Sequence, residues 1–314
     1  MLEIKNLVKS YGQVQALRSL NLDIAQGELF GFVGPNGAGK TTTIKILAGL
    51  LCPDSGTVYI DGQQMTCGAA ELKDKIGYVP DYFGVYDNVR VFEYLEFYAA
   101  AYGITGLLAR RRYMELLDMV GLNGREESYV DSLSRGMKQR LGVARALVHD
   151  PRLLILDEPA SGLDPRTRQE FIAMLKNINQ SGKTILISSH ILSELGEMCT
   201  DIGIIEHGQM VLRGSLFDIL AMVNSSNPLE IQVYQNLPEA VAFLRRHPLI
   251  THVTIDGNRI SAGFSGGQME EAHLLKQMIE AGILVGSFHR RQGGLESVFM
   301  QITGDRQERV VAQG

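Results

Sequence analysis

Three short runs, "LFGFVG" (29–34), "LLILDEP" (153–159) and "TILISSH" (184–190), are apolar almost without interruption. A strand without alternation is buried on both faces, so these runs predict a parallel sheet covered by helices. "LEIKNLVKSY" and "LNLDIAQG" alternate instead, which fits an antiparallel layer at the edge. Strands and helical segments succeed one another from residue 1 to about 215. Between Asp81 and Asp131 the period turns helical, and 10 of the 22 Tyr and Phe residues lie between Tyr78 and Tyr113. That cluster reads either as packing inside an inserted helical subdomain, about 82–148, or as a face for a partner.

"NSSNP" (224–228) reads as a linker. After it come a strand "LEIQVY", a helix "PEAVAFLRRH", and two alternating strands around an Asp-Gly-Asn turn in "ITHVTIDGNRISAGF". A helix "QMEEAHLLKQMIEAG" and a strand "ILVGSFHR" complete a β-α-β-β-α-β order, the ferredoxin-like arrangement. The pattern therefore divides the chain into residues 1–222, an α+β accessory domain at 223–304, and a flexible tail at 305–314. "LESVFMQIT" reads as a closing helix, and no internal repeat is visible.

A length of 314 residues suits two domains, and 45% hydrophobic with 21% charged residues is ordinary for a globular chain. The net charge of −5 gives a nucleic-acid partner little electrostatic support. No stretch approaches the roughly 18 apolar residues of a membrane span, and "MLEIKNLVKSYG" is not a signal peptide. Cys52, Cys67 and Cys199 are spaced for neither a disulfide framework nor a zinc site. A cytoplasmic protein with reduced thiols is the expectation.

One predicted helix has an unusual start. In "VDSLSRGMKQRLGVARALVHDP" (130–151), Ser134 takes the N-cap position, and Met137, Leu141, Ala144 and Val148 recur at helical spacing. Its first turn carries Arg135 and Gly136 and no acid, which makes an anion site at the positive end of the helix. A second phosphate signal is stronger. "GPNGAGKT" (34–41) fits G-x-x-x-x-G-K-[ST] between a strand and a helix. Gly34, Gly37 and Gly39 let the backbone turn N–H groups inward, with Pro35, Asn36 and Ala38 completing the loop. Lys40 is placed to reach the β- and γ-phosphates of a nucleoside triphosphate, Thr41 to ligand Mg²⁺, and Thr42 to donate to another phosphate. The strand "LLILDEP" then ends in Asp157, a carboxylate for the Mg²⁺ sphere, and Glu158, which can polarise an attacking water.

The order and spacing of "GPNGAGKT", "LSRGM" (133–137), "LLILDE" (153–158), "SGLD" (161–164) and His190 resemble those of the ATP-binding cassette (ABC) ATPases. The wording "IGYVPDYFGVYDNV", "LSRGMKQR" and "DEPASGLDPR" looks like the ATPases of ABC-2-type transporters, many of them exporters. The resemblance covers residues 1 to about 215. It implies a P-loop NTPase fold of ABC type, an α/β domain with a parallel core sheet, an antiparallel edge layer and an inserted helical subdomain. It implies ATP and Mg²⁺ as cofactors, adenine stacked on Tyr11, and His190 against the γ-phosphate and attacking water. The anion at the Ser134 helix start also finds an owner: in this family Ser134 and Gly136 would bind the γ-phosphate held by a second copy, with Ser161 and Asp164 at the same junction. Two chains, as a homodimer or a heterodimer with a similar ATPase, would thus form two composite sites. A separate transmembrane permease would hold the protein on the inner face of the cell membrane.

Two positions depart from the family pattern. Asp81 stands in place of the usual Gln after "IGYVP"; it can ligand Mg²⁺ but cannot donate a hydrogen bond. "LSRGM" replaces the commoner "LSGGQ", where Arg135 adds positive charge and Met137 loses an amide. The 116 residues between Lys40 and Asp157 leave no room for the long coiled coil of DNA-repair relatives. An ATPase driving a non-translocating membrane complex, and an importer ATPase with a C-terminal ligand-sensing domain, stay open as alternatives.

Overall fold

In the computed structural model, which describes residues 1–67, 74–81, 84, 88–219 and 228–290, the doubly apolar runs become inner strands. The chain divides into two compact units, Met1–Leu216 and Phe217–Gly314. The first runs β1 (Leu2–Tyr11), β2 (Val14–Ile24), β3 (Leu29–Val33), α1 (Lys40–Leu47), β4 (Ser55–Ile60), β5 (Gln63–Gln64) and β6 (Ile76–Val79). Then follow α2 (Val91–Ala101), α3 (Gly106–Met119), α4 (Arg135–Ala146), β7 (Leu153–Leu156), α5 (Pro165–Gln180), β8 (Thr184–Ser189), α6 (Leu192–Gly196), β9 (Asp201–Glu206) and β10 (Gln209–Ser215).

Six strands form one sheet in the order β10-β9-β3-β8-β7-β6. β9, β3, β8, β7 and β6 pair in parallel, and β10 returns antiparallel on β9. Every residue of β3, β7 and β8 is buried, as continuous apolar strands require. The alternating segments make a separate antiparallel sheet, β2-β1-β4-β5. One face of that sheet meets the parallel sheet: Leu2, Ile4 and Leu20 share a core with Phe30, Phe32, Ile155 and Leu186, and with Ile44 and Leu47 of α1. Each such side chain contributes about 1.5–3 kcal/mol relative to exposure, enough together to fix where β3 and α1 meet.

The helical segment uses its aromatics both ways. Tyr94 and Tyr113 are buried with Leu95, Leu116 and Leu117, which holds α2 on α3. Phe97 is 62% exposed, and Leu107 and Leu108 at the start of α3 are 84% and 68% exposed. Tyr82, Phe83 and Tyr86 lie outside the described residues.

Cys52 and Cys67 correct the expectation of unpaired thiols. The Met65 N–H bonds the Val58 carbonyl at 2.7 Å and folds the chain after β5 back along β4. This brings the two Cα atoms to 5.4 Å, and the sulfurs are joined in a disulfide. A sequence separation of 15 hid a proximity that the hairpin creates. Cys199 is free and buried, and burial pushes its thiol well above the ordinary range.

The second unit contains β11 (Leu229–Val233), α7 (Leu237–Arg246), β12 (Ile250–Asp256), β13 (Arg259–Phe264), α8 (Gln268–Glu280) and β14 (Val285–Arg290). Its four strands form one antiparallel sheet in the order β12-β13-β11-β14. Leu229, Ile231 and Ile260 of the sheet pack on Val241 and Leu244 of α7 and on Leu274 and Met278 of α8. The expected boundary at 222, the closing helix at 295–303 and the tail at 305–314 fall outside the described residues.

Candidate active site

The phosphate loop begins where β3 ends. A β-carbon at Gly34 would run into the Ile205 carbonyl on β9, so the chain leaves the sheet without a side chain. Gly37 and Gly39 take φ of 82° and 110°, where L side chains are strained, and turn the loop onto α1. Between them the loop is tied by the Ala38 N–H to the Pro35 carbonyl at 3.1 Å, with Asn36 at the bend. Lys40 opens α1 and is buried, its Nζ donating to the carbonyls of Gly34 at 2.7 Å and Pro35 at 3.2 Å. Burial holds this ammonium below the ordinary lysine range, against the pull of the Glu158 and Asp157 charges. Phosphate oxygens offer so desolvated a cation stronger partners than two carbonyls. Thr41 and Thr42 follow in the same turn.

Asp157 leaves the end of β7, where it is buried and accepts the Ser188 hydroxyl at 2.7 Å. Burial lifts its carboxyl above the usual carboxylate range; the Ser188 and Thr41 hydroxyls oppose that rise, and the charges of Glu158 and Asp81 add to it. Asp81 therefore acts on the same corner from the end of β6. The charges of Glu158 and Asp81 both bear on the buried Asp157, with Lys40 as the nearby cation, and a divalent ion at this corner would relieve that charge. Among the described residues no cluster of three His, Cys, Asp or Glu side chains is assembled as a metal cage. Magnesium does not need one, because it takes one or two carboxylates together with substrate phosphates and water.

Glu158 adopts φ of 46°, uncommon for a residue with a side chain. The strain is held by its own N–H, which donates to Ser188 Oγ at 2.9 Å. The turn aims its carboxylate between two partners: Oε1 lies 3.6 Å from Lys40 Nζ, and Oε2 lies 2.7 Å from His190 Nδ1. Lys40, Asp157, Glu158 and His190 thus meet in one place. Ser188 organises it by donating to Asp157 while accepting from Glu158, and sequence reading missed this residue. The signal was present: a hydroxyl inside a wholly buried strand has to be hydrogen-bonded.

A second group assembles around α4. Ser134 caps the helix, its hydroxyl accepting from the Met137 N–H at 3.3 Å, and no acid lies in the first turn. Gly136 is buried, and α5 approaches it so closely that a β-carbon there would strike the Thr167 methyl. Arg135 lies with its guanidinium against Gly162, where φ is 67°. The loop carrying Ser161 then ends in Asp164, which caps α5 by accepting from the Thr167 N–H at 3.1 Å. Its carboxyl is held below the usual range by the Thr167 hydroxyl and backbone. Among the described residues no hydrogen bond or ion pair joins Ser134 or Gly136 to the phosphate loop of the same chain. Tyr11 stands half-exposed at the tip of the β1–β2 hairpin, paired with Val14; two residues further on, Ala16 lies against Gly39.

Residues 17–161 match the family model described as ABC transporter. The linearmycin resistance ATP-binding protein LnrL of Bacillus subtilis (strain 168) is 32% identical over 306 residues, covering 97% of this chain and 98% of that protein. The Nod factor export ATP-binding protein I of Paraburkholderia xenovorans (strain LB400) is 34% identical over 305 residues, 96% of this chain and 97% of its own. Among solved structures, cbiO1 from Clostridium perfringens, part of the ABC transporter complex cbiONQ, is similar with a TM-score of 0.66 at 28% identity. That match covers 70% of this chain and 90% of the other. The cassette MJ0796, solved as a dimer in a post-hydrolysis state with ADP and Pi, gives a TM-score of 0.63 at 29% identity, over 69% of this chain and 99% of its own. With relatives matched over nearly its whole length and Lys40, Asp157, Glu158 and His190 gathered beside a phosphate loop, the chain belongs to the ATP-binding proteins of ABC transporters, is of exporter-like type, and is an ATPase.

Proposed function

We propose that the protein is the motor subunit of an exporter: two copies close on ATP, and their closure drives a separate transmembrane permease. The observation that carries this reading is that, among the described residues, the Ser134 helix start makes no hydrogen bond or ion pair to the phosphate loop of its own chain. Lys40, Asp157, Glu158 and His190 form one corner, which the Ser134 helix start of the same chain does not complete. A second copy would bring its helix start to the first copy's γ-phosphate, and its Ser161 and Asp164 to the same junction. The dimeric cassette with ADP and Pi supports the arrangement by similarity.

In the closed pair the backbone of 34–39, with Lys40 and Thr42, would hold the phosphates, and Tyr11 would stack on adenine. Thr41, Asp157 and Asp81 would hold Mg²⁺, which supplies charge neutralisation of the phosphates. Glu158 would orient and deprotonate the attacking water, with His190 fixing the carboxylate and meeting the γ-phosphate. The exposed Phe97, Leu107 and Leu108 of the helical segment are the face offered to the permease. Among the described residues no helix is long and apolar enough to cross a membrane, and the transport pathway would come from that second polypeptide. On this reading the protein would sit in the cytoplasm, peripheral on the inner face of the membrane through its permease. Residues 1–222 would act as the cassette and 223–304 as a ferredoxin-like accessory domain, whose strand order β14-β11-β13-β12 supports the name. Export as the direction is supported by the relative named for Nod factor export.

The test is Glu158→Gln, which keeps the shape and removes the base. With ATP and Mg²⁺ this variant should elute from gel filtration as a dimer and turn over roughly 100-fold more slowly or worse. A variant that remains monomeric at every ATP and protein concentration would count against closure on ATP.

A further inference from the structure

Two charged residues outside the motifs lie between the loop 161–164 and His190. Arg168 sits in the first turns of α5, and its Nη2 reaches the Leu163 carbonyl at 3.3 Å. The same nitrogen lies 3.3 Å from Oε1 of Glu194 on α6, a carboxylate only 6% exposed. The other oxygen of Glu194 accepts the Ser189 hydroxyl at 3.1 Å, and Ser189 Oγ accepts the Ile191 N–H at 2.9 Å. These last two bonds bracket His190 on both sides. From Leu163 to Ser189 every link is a polar contact, the backbone carries the path on to His190, and Nδ1 continues it to Glu158.

A buried carboxylate is costly unless it is well paired, and replacing such a pair by apolar residues is often neutral for stability. This pair is not at its best geometry. Among the described residues Arg168 Nε and Glu194 Oε1 make no hydrogen bond, although a guanidinium fork can give a carboxylate two parallel ones. Leu163 instead holds part of Nη2, so movement of the 161–164 loop would change how Arg168 meets Glu194. Ser161, Glu158, His190, Ser189 and Glu194 also line one narrow gap.

We propose that Arg168 and Glu194 are positioning residues: they make the placement of His190 in one site depend on the 161–164 loop, which serves the junction with a second copy. This rests on the reading that two chains share their sites. The pair would hold His190 against Glu158 only when the loop is seated, so that a lone or unseated chain hydrolyses slowly.

The test uses the full chain with ATP and Mg²⁺ and two variants. Ser189→Ala cuts the link at one atom and leaves the ion pair intact. Arg168→Met combined with Glu194→Leu removes the pair without leaving an unpaired buried charge. Both should bind ATP and melt close to the parent, with KM little changed, while kcat falls roughly 10- to 100-fold, the scale of a small misplacement at a reacting centre. Adding Ser189→Ala to the double variant should lower kcat no further, because one path is cut twice. Parental kcat in either folded variant overturns the proposal, and so does a loss of kcat matched by a loss of ATP affinity. The parent's specific activity is measured against protein concentration alongside. If it does not rise with concentration, the shared-site reading fails and this inference with it; if it rises while the variants keep full kcat, the inference alone fails.

Discussion

Glu158 Oε2 and His190 Nδ1 lie 2.7 Å apart, while the other oxygen of the same carboxylate lies 3.6 Å from Lys40. An ionised carboxylate can only accept, so Nδ1 is the donor and the ring is turned by that bond. An imidazolium would donate at both nitrogens, to Glu158 on one side and to a phosphate oxygen on the other. His190→Ala should then lower turnover roughly 100-fold, as loss of an aligned acid–base partner does, and change ATP affinity far less. Phosphate release at saturating ATP, with a binding titration beside it, checks both. Normal turnover would give the contact a purely structural meaning.

Asp157 makes a prediction in the opposite direction for stability and activity. Burial raises its carboxyl above the usual range, so the nucleotide-free fold binds a proton there more readily than the unfolded chain does. Stability from this group therefore increases as pH falls through the raised pKa, and ionisation at neutral pH is a cost. Asp157→Asn removes that cost and keeps an acceptor for the Ser188 hydroxyl. Without nucleotide, the variant should melt a few degrees higher than the parent at neutral pH, and the gap should close on acidification. Its ATPase activity should be lost. An unchanged melting point at neutral pH would mean that Ser188 and Thr41 already offset the burial.

Much of this site was written in the local sequence, because its parts are short segments whose geometry is fixed within a few residues. Gly37, Gly39 and Lys40 act through one turn, and Ser134 caps a helix visible from its spacing. The fully buried β3, β7 and β8 were legible from continuous apolar runs. What stayed hidden depends on partners far apart in the chain. Ser188 meets Asp157 across 31 positions, Glu158 needs that same hydroxyl to hold its positive φ, and Cys52 meets Cys67 only through a hairpin fold-back. Arg135 was read as charge for a phosphate, yet its guanidinium packs on Gly162, a contact that no spacing rule contains.

That contact gives a steric prediction. Gly162 has φ of 67°, and a β-carbon there would collide with the Arg135 guanidinium. Gly162→Ala should push the flexible Arg135 side chain off the Ser161–Asp164 loop and add roughly 1–2 kcal/mol of left-handed backbone strain, lowering turnover. Adding Arg135→Ala removes the collision but not the strain, so turnover should recover in part. Recovery is read from ATPase rates at matched protein concentration. A double variant no better than Gly162→Ala alone would leave backbone strain as the whole effect.

Among the described residues Ser134 makes no hydrogen bond to the phosphate loop of its own chain, and that makes the sharpest test possible. Lys40→Ala removes the cation that meets the β- and γ-phosphates. Ser134→Arg puts a bulky side chain at the helix start, in the path of a partner's γ-phosphate. Each variant alone carries its lesion in both composite sites of a homodimer, so each should be inactive. In a mixed dimer the two lesions fall together in one site, and the other site joins an intact phosphate loop to an intact helix start. Mixing two inactive proteins, with time for subunit exchange, should therefore restore part of the ATPase activity. If Ser134 served its own chain's nucleotide, every site in every mixture would stay damaged and no activity would return. Strict cooperation between the two sites would also prevent recovery, and mixing each variant with the parent separates these cases. Under strict cooperation those mixed dimers are inactive, whereas independent sites within each chain leave them half active.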